Sequence, residues 1–323
     1  MDRAVWKQKL RGALLAAVPA PFDARGRLAG AAQSGYARWM AQQNVAGVAV
    51  WTEAERGLSL DGGARRDLMR SWREALGPAK LIVAAVGARV RAELPPDKQM
   101  RVFIRDALTM GEEAALLGAD ALVADVPAAF ENASEREQHT VEYYKALGGI
   151  GRPLIVRCRP QARGGPCGSA ALLRRLLALP AVVGLTTTAL DSVTAYQDLA
   201  RMMRDEFPDL VLVSGEDRFL GYTLMCGAEA ALVALAAAWT GPQVELVSAW
   251  LRGEAQRFVD LNRKANAFAE AVFAPPVEGC MQRLLWALTL TGVIPANAAH
   301  DPWSPKLPRS QFIQLKRVLA EIC

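Results

Sequence analysis

Eight short apolar runs, each followed by a longer amphipathic stretch, constrain this chain more than any other feature. The runs cover residues 14–18, 47–51, 81–86, 121–126, 154–158, 182–186, 210–214 and 230–235. Helical patterns lie between them, at 31–43, 63–76, 102–117, 135–147, 169–179, 190–207 and 218–226. A strand that is always followed by a helix pairs in parallel with the next strand through a right-handed crossover, and eight such units close on themselves. The competing open, doubly wound sheet needs a glycine-rich fingerprint after its first strand, and none is present. The predicted fold is α/β, a (β/α)8 TIM barrel over residues 1–240. Three further helical patterns at 243–273, 277–290 and 310–321 predict a C-terminal helical extension over 241–323. Residues 88–100 read as an inserted loop, because Pro95-Pro96 does not fit inside a helix.

Composition excludes several function classes. The net charge of +5 comes from 38 basic and 33 acidic residues, with no basic block beyond pairs such as Arg65-Arg66 and Arg174-Arg175. Such pairs read as solvated helix faces, so no nucleic-acid partner is expected. The five cysteines (158, 167, 226, 280 and 323) have no close paired spacing, and His139 and His300 are the two histidines. Neither a zinc site nor a disulfide framework follows, and the expectation is reduced cytoplasmic thiols with no metal and no cofactor. Residues 7–20 mimic a short signal peptide, but the apolar segment runs on into a turn at Gly26, so they read as the first barrel strand. No run approaches the roughly 18 apolar residues of a membrane span.

Several motifs fall at predicted strand boundaries. Val18-Pro-Ala-Pro-Phe-Asp23 precedes Gly26, Gly118-Ala-Asp-Ala-Leu-Val123 enters the fourth strand, and Ser214-Gly-Glu-Asp217 ends the seventh, with Gly227-Ala-Glu229 after it. In this order they resemble the corresponding segments of the dihydrodipicolinate synthase/N-acetylneuraminate lyase family. The likeness runs from about Gly12 to Glu321 and implies a barrel lyase that forms an imine between a lysine and a keto acid. It also implies a homo-oligomer, a dimer or a tetramer built from dimers.

The positions that carry that chemistry depart from the family pattern. Leu179-Pro-Ala-Val-Val-Gly-Leu-Thr-Thr-Thr188 resembles the segment bearing the imine-forming lysine, with Thr186 in the lysine position. A threonine hydroxyl cannot form an imine. Counting back from Leu60, the family's Gly-Thr-Thr-Gly-Glu becomes Thr52-Glu-Ala-Glu-Arg56, so both hydroxyls are lost. Its Thr-Pro-Tyr-Tyr becomes Val126-Pro-Ala-Ala129, and its Tyr-Asn-Val-Pro becomes Arg157-Cys-Arg-Pro160. Allowing one inserted residue after Pro160, Arg163 falls on the family arginine that binds a substrate carboxylate.

The candidate site is therefore Glu53, Arg157 and Thr186 for chemistry, with Arg163, Arg56 and Thr187 for substrate binding. Arg157 and Arg163 read either as an anion clamp, since a guanidinium offers bidentate donors, or as a network neutralised by Glu53 or Glu55. Glu53 reads as a general base if burial raises its pKa, or as an ion-pair partner of Arg157. Cys158 reads as a thiolate beside positive charge or as packing, and strand alternation turns it away from Arg157. Thr186 to Thr188 hydrogen-bond a ligand or each other. Asp217 is expected to cap the short helix after it, and Trp51 and Trp239 to fill vacated volume.

Two functions follow. One is a divergent lyase-like protein that binds or transforms a small oxo- or hydroxy-carboxylate without an imine. The other is a non-catalytic member that binds a metabolite or partners an active paralogue.

Overall fold

Alternating valine, leucine, isoleucine and alanine make the eight runs into strands that are buried along almost their whole length. They are β1 (Leu14–Ala17), β2 (Gly47–Val50), β3 (Leu81–Val86), β4 (Ala121–Asp125), β5 (Leu154–Cys158), β6 (Val182–Thr187), β7 (Val211–Ser214) and β8 (Ala230–Val233). In the computed structural model they form a closed barrel in sequence order, with parallel pairing between the registered neighbours. The structure describes residues 2–91, 93–127, 136–159, 169–188 and 192–322. The (β/α)8 fold is the one expected.

The helices are α1 (Arg3–Leu10), α2 (Gly30–Ala41), α3 (Gly62–Leu76), α4 (Pro96–Leu116), α5 (Arg136–Gly148) and α6 (Ala170–Leu177). They continue with α7 (Val193–Glu206), α8 (Leu220–Met225), α9 (Thr240–Leu251), α10 (Ala255–Val272), α11 (Cys280–Leu290) and α12 (Arg309–Ile322). Side-chain oxygens mark several starts. Asp61 accepts the N–H of Ala64, Ser169 that of Leu172, and Ser192 that of Ala195, each satisfying a donor of a first helical turn.

The chain divides into two compact units. The first is built on β3 to β7, with α1 and the beginning of β8. Within it, α1 is anchored by Arg3, which donates to the carbonyls of Leu177 and Leu179, and by Lys7, which pairs with Glu229 at 3.1 Å. The second holds β1, β2, α2, α3, the end of β8 and α9 to α12. There Phe22 bridges to both Leu28 and His300, and Tyr36 donates to the carbonyl of Ala237 at 3.0 Å.

Three local expectations need correction. Helix α1 precedes the first strand and was not anticipated, because its two lysines and single buried leucine give a weak apolar face. Helix α4 starts at Pro96, well inside the expected loop. A proline at the first helical position loses nothing, since its missing N–H has no intrahelical acceptor there. The pattern at 243–273 is two helices, α9 and α10, separated at Gly253, whose φ of +73° is the left-handed conformation that ends a helix.

Candidate functional site

The carboxyl ends of the strands carry the polar side chains, and each compact unit contributes its own group. In the first unit, Asp125 closes β4 and is in register with Arg157 on β5, which is in register with Thr186 on β6. Register partners on parallel strands share a face. Cys158 and Thr187 pair in the alternate register, and Thr187 pairs with Ser214. Ser214 hydrogen-bonds Thr223 of α8 at 2.6 Å, so that alternate face meets the helices. Asp125, Arg157 and Thr186 therefore occupy the inner face of the sheet.

Asp125 is held by two guanidiniums. Arg157 reaches its two oxygens at 2.7 Å each, through Nε and Nη2. Arg159 makes the same fork at 3.1 and 3.0 Å. Arg157 is 6% exposed, so its charge requires this carboxylate. Asp125, a neighbouring-strand residue that register selects, is a partner of Arg157 that the sequence did not point to. Thr186 is fully buried, and its Oγ1 has no hydrogen-bond partner. Gly215 lets the end of β6 lie this close to β7: a Cβ there would stand 3.0 Å from Thr186 Oγ1 and 2.6 Å from Thr188 Cγ2.

Thr187 does not join this group. It is buried at the end of β6, and strand alternation sends it to the helix side. Cys158 is disulfide-bonded, which corrects the expectation of uniformly reduced thiols. Of the described cysteines, 226 and 280 are free. Arg163 also lies outside the described residues, as do Ala128, Ala129 and Pro160.

In the second unit, the segment after β2 makes a tight turn. Gly57 N–H donates to Thr52 O and Arg56 N–H to Glu53 O. Trp51 and Arg56 both adopt positive φ, at 57° and 60°, a strained region for residues with a Cβ. Between them, Glu55 is fully buried. Its Oε2 accepts the Trp51 N–H at 2.5 Å and its Oε1 accepts the Trp72 indole N–H at 3.0 Å. Thr52 is 3% exposed and its Oγ1 has no hydrogen-bond partner. Glu53, the expected base, is exposed. Arg56 grips Asp301 at 2.6 and 3.3 Å, which commits its charge within the fold.

Burial pushes the Glu55 carboxyl up to about 7, against the opposing pull of its two N–H donors. A carboxyl raised in the folded state contributes its full stability below the ordinary carboxylate range and loses it as pH rises through the folded value. Stability measured by urea unfolding is therefore expected to fall by about 2–3 kcal/mol between about pH 4.5 and 7 on account of this one group. Glu55→Gln should remove that slope. A slope that persists unchanged in the variant would exclude Glu55 as its source.

Asp217 does not cap the helix that follows it. Its Oδ1 accepts the N–H of Leu235 at 2.7 Å, tying the β7 loop to the end of β8. Burial raises its carboxyl to about 6. Trp51 and Trp239 are buried, at 2% and 4% exposure. Trp51 donates from its indole to Arg65 O on α3, and Trp239 packs on Phe268 of α10. No cluster of three His, Cys, Asp or Glu side chains among the described residues could hold a metal ion. Among the same residues, no helix is long and apolar enough to cross a membrane.

A closed parallel barrel with charged side chains gathered at its strand ends has the layout that (β/α)8-barrel enzymes use. The Dihydrodipicolinate synthetase family pattern matches residues 10–320, and the chain belongs to that family. The chain is 24% identical over 311 residues to a 4-hydroxy-tetrahydrodipicolinate synthase from Synechococcus sp. (strain CC9605), covering 94% of this chain and 90% of the relative. Its fold matches the dihydrodipicolinate synthase of Oceanobacillus iheyensis with a TM-score of 0.81 at 15% identity, over 99% of each chain. It matches the N-acetylneuraminate lyase of Mycoplasma synoviae at 0.77 and 19% identity, over 97% of this chain and 98% of that one. A prophage protein of the same family from E. coli K12, in complex with pyruvate, matches at 0.82 and 18% identity, over 96% of this chain and 98% of that one.

The sequence reading missed Asp125, Arg159 and the burial of Glu55. Asp125 did leave a signal, as the single charge ending an otherwise apolar strand.

Proposed function

We propose that this lyase-like family member binds a small oxo- or hydroxy-carboxylate on the inner face of β4 to β6 and handles it without an imine. The observation that carries this reading is the distribution of lysines. Thr186 stands on β6 in the position that the resemblance gives to the imine-forming lysine. All eight lysines (7, 9, 80, 98, 145, 264, 306 and 316) lie on helices, on the 300–308 loop or ahead of β3, and none follows the carboxyl end of a strand. Arg157 and Arg159 both fork onto Asp125, which sets two guanidiniums, the donors that suit a carboxylate, at the ends of β4 and β5.

The turn after β2 supports a revised register. The positive φ at Trp51 is glycine-like, so the first glycine of Gly-Thr-Thr-Gly-Glu fits Trp51 better than Thr52. Thr52 and Glu53 then take the two threonine positions and Glu55 the glutamate. One hydroxyl of the motif is thereby kept. In this reading the protein is a cytoplasmic homo-oligomer, a dimer or tetramer.

Borohydride reduction in the presence of pyruvate, followed by intact-mass measurement, is expected to give no adduct. A gain of about 72 Da, the mass of reduced pyruvate on an amine, would refute the imine-free reading. Thermal-shift screening with oxo and hydroxy acids is expected to find a stabilising ligand.

One observation favours a second reading. The double fork on Asp125 is also how a disused pocket neutralises its own charges. A non-catalytic member, binding a metabolite or partnering an active paralogue, is then the function. Turnover by the purified protein would reject it.

A further inference from the structure

We propose that Glu55 is a positioning residue whose carboxylate fixes the backbone of the 51–57 turn, so that the presentation of Thr52 and Glu53 after β2 depends on its ionisation.

The geometry is specific. A turn with two non-glycine residues at positive φ is strained, and strain persists only where surrounding bonds over-determine it. One such bond runs from the N–H of Trp51, the first strained residue, to Glu55 Oε2 at 2.5 Å. The other oxygen is anchored from outside the turn by the Trp72 indole of α3, itself fully buried. The carboxylate thus clamps the end of β2 to the helix layer. Thr52 and Glu53 lie between the clamped residue and the clamp.

The ionised form holds this arrangement best, since a carboxylate offers acceptors to both N–H donors. A protonated carboxyl must turn one oxygen into a donor while facing donors on both sides. Burial works against ionisation, and the two influences balance near neutrality. The groups around Glu55 leave it as the titrating member. Tyr36 of α2 is pushed above its ordinary range by burial and by the Glu55 charge. Arg65 of α3 lies over the Trp51 ring at 5.8 Å and donates to Leu60 O. Arg56 is committed to Asp301. A small rise in pH near neutrality therefore charges the clamp, strengthening its two bonds against the cost of a buried charge.

The test follows the Trp72 indole N–H by NMR in 15N-indole-labelled protein, assigned with Trp72→Phe. In the wild-type chain this resonance is expected to shift with a single midpoint near 7. In Glu55→Gln it is expected to stay flat, and hydrogen exchange in the 51–57 segment to run about tenfold faster. Absence of any titration between about pH 5 and 9 in the wild-type protein overturns the proposal, whether or not the variant folds.

Discussion

Asp125→Ala is expected to lower the unfolding free energy by about 3–4 kcal/mol, because it removes the carboxylate on which a nearly buried guanidinium makes two bonds. Arg157 is 6% exposed and both of its forked bonds end on this carboxylate, while Arg159 shares the same oxygens. Removing the acid leaves two like charges side by side, one of them with little access to water. Most of the loss is the penalty of a buried arginine deprived of this carboxylate, so Asp125→Ala combined with Arg157→Met should recover much of it. Urea unfolding of the wild type, the single variants and the double variant measures this coupling. A single-variant cost below about 1 kcal/mol, the range of exposed ion pairs, would mean that the trio is solvated and contributes little.

Arg283→Ala is expected to cost about 3–5 kcal/mol, the largest effect foreseen for a residue remote from the strand ends. Arg283 is fully buried on α11. Its guanidinium donates to Val272 O at 3.0 Å, to Pro276 O at 3.1 Å and to Gln311 Oε1 at 2.8 and 3.1 Å. It thereby joins the end of α10, the segment before α11, and α12. Alanine removes the guanidinium donors of the Val272 carbonyl and the Gln311 amide oxygen and opens a cavity as well. Lysine should restore less than half of the loss, since an ammonium on a flexible stem cannot reproduce the fork. Equal stability of the lysine variant and the wild type would show that charge, not geometry, is what the position requires.

The barrel was legible because its signal is local. Apolar runs of strand length recur between amphipathic stretches, and the observed strands start within a residue of those runs. The places where the reading failed are those where a local rule has an exception. Pro96 is tolerated at a first helical position, Gly253 splits one apolar pattern into two helices, and α1 forms despite a weak apolar face. The family followed from motifs at strand boundaries, and the matched pattern over residues 10–320 agrees with it.

The site was legible only in part. Sequence set Arg157 and Thr186 at the carboxyl ends of their strands, where they are register partners, and alternation turned Cys158 away from them. It could not assign partners. Whether Arg157 meets Asp125, Glu53 or Glu55 depends on inter-strand register and burial, which no periodicity encodes. It placed Thr187 beside Thr186 in function, though successive strand residues face opposite sides. Glu53 and Glu55 are two residues apart and chemically alike, yet one is exposed and the other is fully buried between two indole-bearing residues.

The sequence by itself determined the order of strands and helices, the barrel class, and the presence of threonine at 186, because these depend on residue identity and short-range pattern. Tertiary structure alone decided which carboxylate holds the two arginines and which glutamate sits near its titration point. Ion pairing and desolvation act through space, between groups that folding brings together from distant parts of the chain.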